Sequence, residues 1–447
     1  MQNNSRIMTG GNILKMLLPY AIPLVLSNLL QTFYGIVDMI VVGQFVGASG
    51  LSAVNNSSQI TGLITGISMG VGTGGSVIVG QYFGARNITG QKNAAGTMLS
   101  FSVLAGVVVS VVLYIFSTPL LTALGAPSLA EADIYLKICA VGMMPIFGYN
   151  ALSGMMRAVG NSKWPLIFIL IATLLNVALD FIMIGPMKLG VAGAAYATVI
   201  SQYVAFILAL IYLRKFPELI EYSVDCLKIR RNMLLPILKV SIPSILQSSI
   251  ASVSWLLVTS QLNAYGTIVS AGNGISVKIK DICQRITQAI AQAATAMVAQ
   301  NLGARKFDRA RTVMYEAMKV SLLVAVVMIV IVEIFARQFS MIFTTDPEII
   351  EQSVLNLRIE IIGQLFYASF PVFNALAIGA GHTLFAMFSS FMNCIVFRVV
   401  LTFVLNHLFG LWGLYLGCMI APSISVPLGW LYERSNIWRK SLVEDSG

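Results

Sequence analysis

Two acidic side chains stand where acids are rarest. Asp38 and Asp180 lie deep in long apolar runs of the first half of the chain. Gln31, Tyr34 and Asp38 fall at i, i+3 and i+7, one polar line on a helix. Asn176 and Asp180 stand four apart on another helix, and neither line carries a Lys or Arg. A charge at the bilayer centre costs about 2.5–3.5 kcal/mol on insertion scales, so such a residue normally faces a cavity and marks an ion or proton path. Two carboxylates without a basic partner in a low dielectric suit shared possession of a proton near neutral pH. With amide and hydroxyl oxygens beside them they also make hard ligands for Na⁺. The blander reading places both acids near helix ends, simply hydrated.

The second half carries a different pattern. Lys278, Asp281, Arg285, Gln288 and Gln292 follow one another at steps of three and four, a continuous polar stripe, with Lys280 off the stripe. Glu360 and Arg398 lie inside two further apolar segments. Four bases against two acids leave this half with a buried positive surplus. Either these groups form a salt-bridge network that pins helices together, or, with Gln31, they line a substrate cavity that contacts anionic or zwitterionic compounds.

Other chemistry is poorly supported. Gly66–Gly70 spells a nucleophile elbow and Gly70–Gly75 a GxGxxG loop, but neither follows a strand or has partners. Gly62, Gly66 and Gly70 at intervals of four read better as close helix packing in lipid. No GxxxxGK[ST] motif supports direct use of ATP. The two histidines, His382 and His407, form no metal pattern. The five cysteines, Cys139, Cys226, Cys283, Cys394 and Cys418, lack CxxC spacing and read as packing thiols. No enzyme activity, cofactor or resident metal is expected beyond a coupling H⁺ or Na⁺ at Asp38 and Asp180.

The elements that must hold these residues follow from composition. Of 447 residues 57% are hydrophobic and 10% charged, against about 25% charged in soluble domains. Lipid must be part of the solvent, and backbone groups in lipid must be satisfied within helices. Hydropathy gives twelve spans, at 16–42, 55–80, 94–117, 134–156, 164–184, 190–213, 234–260, 268–299, 312–336, 349–377, 383–406 and 411–432. The N-terminal residues do not read as a signal peptide.

Eighteen basic residues fall at the N-terminus, on the even-numbered connections and in the tail, from Arg6 and Lys15 to Arg439 and Lys440. Only Lys188 and Arg337 fall on the odd-numbered connections. That bias puts both termini in the cytoplasm of a multi-pass plasma-membrane protein. It also accounts for most of the net charge of +10, so no nucleic-acid partner is expected.

The chain also repeats itself at a spacing of about 220 residues. Residues 21–27, AIPLVLS, match 241–247, SIPSILQ, and 79–86, VGQYFGAR, match 298–305, VAQNLGAR. Gly142 and Gly160 match Gly363 and Gly381, and 191–198 faces 411–418. The expected fold is an all-α integral membrane protein of twelve transmembrane helices, two six-helix lobes related by a parallel pseudo-two-fold repeat. The lobes are expected at 1–213 and 234–432, joined by a basic linker at 214–233 and followed by a cytoplasmic tail at 433–447.

With these residues in place, the chain resembles the bacterial MATE (multidrug and toxic compound extrusion) family over essentially its whole length. The likeness rests on Tyr34-Gly-Ile-Val-Asp38 through Gly43, on Gly84-Ala85-Arg86, and on Gly154 through Asn161 with Arg157 and Gly160. Asn176 through Asp180 and Gly190-Val-Ala-Gly193 continue it. The resemblance implies a first-lobe cation site at Asp38 and Asp180 with Tyr34, Asn176 and Thr198, to which Asn150 and Tyr135 are added. It further implies export by rocking of two lobes, driven by inward Na⁺ or H⁺. The chain departs from members with an acidic second-lobe site, because 234–260 and 361–377 contain no acid.

The expected function is a secondary antiporter exporting small organic compounds, working as a monomer in the bilayer. Two alternatives stay open. A flippase for a lipid-linked precursor on a related two-lobe fold would welcome a cationic cavity. A non-transporting receptor or assembly protein would not need buried acids.

Overall fold

Lipid leaves a backbone amide no partner but its own helix, and among the described residues every element is helical. The computed structural model describes residues 7–123, 125, 128–215, 217, 227–439 and 442, and not the side chains of Tyr34, Ile36 and Ala48. Cys226, Arg6, Lys440 and about half of the expected linker and tail lie outside these residues.

The first six helices are α1 (Ile13–Phe45), α2 (Ala48–Gly84), α3 (Ile88–Ala123), α4 (Leu129–Val141 and Met143–Ala158), α5 (Lys163–Ile184) and α6 (Gly190–Lys215). The next four are α7 (Arg231–Asn263), α8 (Thr267–Gly303), α9 (Phe307–Met341) and α10 (Pro347–Glu360 and Gln364–Gly379). The two segments of α4 meet at 45° and those of α10 at 49°, in each case at a glycine, Gly142 and Gly363. These are the two glycines that the repeat pairs.

Among the described residues eight helices are long and apolar enough to cross a membrane, ten with the bent pairs. One further helix escapes that test, and one of the eight holds two spans. α8 runs for 37 residues but is diluted by polar side chains. Thr383–Arg434 is 52 residues long, which at about 1.5 Å per residue far exceeds a bilayer core of about 30 Å. Gly410, at φ 60° and ψ −143°, breaks it into α11 (383–409) and α12 (411–434). α12 then folds back so closely that a Cβ on Gly413 would strike Leu405 and one on Gly417 the backbone of Thr402. Twelve membrane-spanning helices result.

The internal repeat is visible in the helix ends. After α2, Arg86 takes φ 57° and Asn87 N donates to Tyr82 O at 3.0 Å. After α8, Arg305 takes φ 57° and Lys306 N donates to Asn301 O at 2.8 Å. Both are left-handed turns that recapture an orphan helix carbonyl. Gly160 and Gly381 follow suit at φ 82° and 83°. The matching strings VGQYFGAR and VAQNLGAR therefore build matching caps.

The chain divides into two compact units, one built on Leu26–Ile245, the other on Met8–Val25 with the described chain from Leu246 onward. Each boundary falls inside a helix, α1 or α7, two residues after Pro23 or Pro243. Proline removes one backbone hydrogen bond from the turn that follows, and the repeat aligns these two prolines. In the second unit Leu17, Tyr20, Ala21 and Leu24 of α1 are buried in one cluster with Ala293, Met297, Met314 and Leu376. In the first, the opening half of α7 lies on α2, where a Cβ on Gly70 would meet Ile245 and one on Gly74 would meet Ile237 and Ser241. Ser241 Oγ donates to Ile237 O at 2.8 Å.

The expected packing glycines need one correction. Gly62 and Gly66 face open space, and the close approaches are made by Gly70, Gly72, Gly74 and Gly75. Residues 66–75 lie inside unbroken helix, so neither the elbow nor the phosphate-loop motif exists as a structure. Trp438, from the expected tail, is fully buried, and its Nε1 donates to Glu433 O at 2.8 Å.

Candidate functional site

α1, α4, α5 and α6 each bring a polar group into the interior of the first unit. Asp180 is completely buried and Asp38 is 6% exposed. They sit within electrostatic range of each other, and Asp38 acts on Cys139 as well. Their shell is apolar: Val41, Val42, Leu136, Ile184, Val191 and Ala194 form one buried cluster that includes Tyr135 and Cys139. The line Asn176–Asp180 holds because both are buried on the same face of α5. With its amide nitrogen toward the acid, Asn176 donates to Asp180 Oδ2 at 2.9 Å, and its oxygen accepts from Thr198 N of α6 at 3.2 Å.

One oxygen on each acid is left over. Asp38 Oδ1 and Asp180 Oδ1 are buried and, among the described residues, accept no hydrogen bond. Among the described residues neither acid has an ion-pair partner. A buried carboxylate oxygen without a donor costs desolvation energy and is not kept for stability. Two such oxygens, with the Asn176 amide between helices, can accept a proton or complete a small oxygen shell around Na⁺.

Not every expected member joins. Asn150 is turned toward α2, where its Nδ2 donates to Ser68 Oγ, and it also donates to Ile146 O one turn back on α4, both at 3.0 Å. Tyr135 is buried beside Cys139 in the same shell as the acids. The Thr198 side chain is half-buried, and its backbone nitrogen supplies the contact to Asn176. The Tyr34 side chain lies outside the described residues, and Gln31 is exposed.

In the second unit α8 proves polar on two faces. The expected stripe is the more open one. Arg285 Nε pairs with Asp281 Oδ2 at 3.3 Å, with both side chains a little over a third exposed. Gln288 Nε2 donates to Tyr367 OH of α10 at 2.9 Å. Lys278 and Gln292, at the ends of the stripe, are exposed.

A second line, Asn273, Ser276 and Lys280, is buried against Ser353, Asn356 and Glu360 of α10. Asn356 Nδ2 donates to Asn273 Oδ1 at 3.1 Å, and Ser276 Oγ to Ser353 O at 3.0 Å. Lys280 Nζ pairs with Glu360 Oε2 and reaches Asn356 Oδ1 at 3.4 Å. Glu360, expected to line a cavity, is thus engaged in a buried zipper, and Lys280, set off the stripe, is its partner. The spacings 273/276/280 and 353/356/360 carried this signal, since each is a three-then-four line of polar residues.

Trp255 of α7 is the member with no sequence signal. Its ring carries Lys280 Nζ at 5.8 Å and the Arg398 guanidinium at 5.3 Å from the centroid. Asn374 and Asn393 are buried, and among the described residues both amide atoms of each are without a hydrogen bond.

The chain is similar to known proteins over nearly its whole length. The MatE family model matches residues 23–182 and 243–404, one match in each repeat. The chain is 28% identical to the probable multidrug resistance protein YoeA of Bacillus subtilis, covering 95% of this chain and 94% of that protein. It is 25% identical to the multidrug export protein MepA of Staphylococcus aureus, covering 92% and 91%. In fold it is similar to a multidrug resistance MATE family transporter of the MOP superfamily solved in an outward-facing conformation. The TM-score is 0.92 at 23% identity, over 98% of each chain.

Proposed function

The chain belongs to the MatE family, and from that premise we propose that it exports small organic compounds in exchange for H⁺ or Na⁺ bound at Asp38 and Asp180. One observation carries the coupling: each acid keeps a buried oxygen that accepts no hydrogen bond among the described residues. The names of the curated relatives, multidrug resistance and multidrug export proteins, support the substrate class.

In this reading the protein is a transporter, not an enzyme. Binding of one H⁺ or Na⁺ lowers the charge of the pair from −2 to −1, relieves the repulsion between the two carboxylates and lets α1 and α5 draw together at Asn176. Substrate taken up from the cytoplasm favours the empty, charged pair. Exchange follows only if the ion and the substrate prefer different states of the protein, because a ligand with equal affinity for both shifts nothing. The protein is placed in the plasma membrane as a monomer with both termini cytoplasmic. Its lobes at 1–213 and 234–432 move about a basic linker at 214–233, and a tail follows at 433–447. Tyr34 and Thr198 complete the ion site, and Tyr135 and Asn150 shape its wall.

Purified protein in liposomes tests this. With a pH gradient or a Na⁺ gradient imposed separately, a dye substrate such as ethidium is expected to accumulate under one of them. Asp38→Asn should abolish the accumulation. An Asp38→Asn protein that still concentrates ethidium against its gradient would sink the coupling site. Movement of fluorescent lipid alone, with no flux of soluble compounds, would favour the flippase reading.

A further inference from the structure

Of the four bases that α8 and α11 carry in the second unit, two are paired with acids. Lys280 is neutralised by Glu360 and Arg285 by Asp281, and Lys278 is exposed. Arg398 remains. Its guanidinium is half-buried over Trp255, and among the described residues no carboxylate lies within ion-pair distance of it. It acts electrostatically on Tyr367, Cys394 and Cys418, which surround it on α10, α11 and α12.

An unneutralised guanidinium inside a membrane-spanning unit is costly unless something brings an opposite charge. A second feature marks the same place. Met392–Val399 of α11 departs from α-helix into wider π-helical turns. Such turns sacrifice hydrogen-bond geometry, and they recur at functional sites because they rotate a side chain away from its α-helical direction. Arg398 lies in that stretch.

We propose that Arg398, lying over Trp255 beside Lys280, is a recognition subsite for a monoanionic carboxylate on the transported compound. The subsite extends the substrate class to organic acids and zwitterions with an aromatic body, beside cations such as ethidium that make no use of it. A guanidinium presents a planar fork that matches a carboxylate with two parallel hydrogen bonds. The Trp255 ring, its centroid 5.3 Å from the guanidinium carbon, gives that fork a surface to rest on before the ligand arrives. The indole edge and Tyr367 offer the apolar and aromatic contact that an aryl group prefers. The Lys280–Glu360 pair cancels its own charge, so the surplus is one, which selects a single negative charge over a doubly charged phosphate. The substrate assignment rests on the export reading, but binding at the subsite can be measured without transport.

Equilibrium dialysis of the full-length protein in detergent with labelled 2-naphthoate, and separately with its uncharged methyl ester, isolates the carboxylate. The unaltered protein is expected to prefer the acid by at least tenfold. Arg398→Gln should remove that preference, and Arg398→Lys should restore part of it. Gel filtration of each variant checks that it is folded, and Trp255→Leu should weaken acid and ester together. Equal binding of acid and ester by the unaltered protein would overturn the proposal, as would an undiminished preference in Arg398→Gln. Flux is scored apart from this. Liposomes in which no ion gradient moves any compound would count against export, whereas a missing acid preference counts against the subsite alone.

Discussion

At the scale of the residue, Asp38 and Asp180 are expensive. Each is buried, each keeps an oxygen without a donor, and the Asn176 amide serves only one of the four carboxylate oxygens. Such a pair lowers stability, and substitution should make the distinction visible. Asp180→Asn removes a charge from an apolar shell and leaves a side chain of the same shape. We expect its melting temperature in detergent to be unchanged or higher while ion-driven export falls by at least tenfold. A variant that melts earlier and still exports would identify Asp180 as a structural residue. Asn176→Ala has the opposite signature. It strips Asp180 Oδ2 of its donor and should cost about 1–3 kcal/mol, the penalty for a buried polar atom left unpaired. Thermal denaturation of the two variants side by side separates an acid kept for coupling from an amide kept to position it.

At the scale of the element, the α8–α10 zipper holds two helices together without any apolar driving force. Lipid tails are as apolar as leucine, so helices associate in membranes through packing and polar contacts. Lys280 and Glu360 are both buried, and breaking one partner of such a pair costs about 3–5 kcal/mol because it strands the other charge. Glu360→Met alone should therefore lower the melting temperature sharply, and Lys280→Met with Glu360→Met should recover most of the loss. A double variant as unstable as the single one would show that the pair itself, not the stranded Lys280 charge, accounts for the loss. The zipper also shows what the sequence made legible. The twelve spans, the repeat and the buried positions of Asp38, Asn176 and Asp180 could be read from periodicity and charge alone. Which face of α8 meets α10 could not, because Asn273–Ser276–Lys280 and Lys278–Asp281–Arg285 are both polar lines at helical spacing. Only the neighbouring helix, with Ser353, Asn356 and Glu360 in register, decides between them. Trp255 was invisible for a similar reason: a lone aromatic in an apolar run becomes a shelf only when cations from two other helices arrive over it.

At the scale of the whole molecule, the repeats and the compact units do not coincide. The repeats divide the chain between α6 and α7. The units divide it inside α1 and α7, at equivalent positions two residues past aligned prolines. Each repeat therefore lends half a helix to the unit built mainly by the other. Leu17, Tyr20, Ala21 and Leu24 belong to the core around Met297 and Met314. Ile237, Ser241 and Ile245 close over Gly70 and Gly74. This exchange has a consequence for fragments. A chain cut between Lys215 and Leu227 yields two pieces of six helices, each a complete repeat. If repeats were folding units, each piece would be stable alone. Because each lacks the half-helix that fills its core, a lone piece exposes an unfilled groove at Gly70 and Gly74, or around Met297, that lipid cannot pack as closely as a side chain does. We expect each piece expressed alone to aggregate on detergent extraction, and the two expressed together to copurify as one monodisperse species with ethidium export restored. Gly74→Leu in the first piece should block copurification, since its side chain would occupy the place of Ser241. Either piece running as a stable monomer by itself would show that the exchanged half-helices are dispensable, and that the repeat rather than the compact unit is what folds.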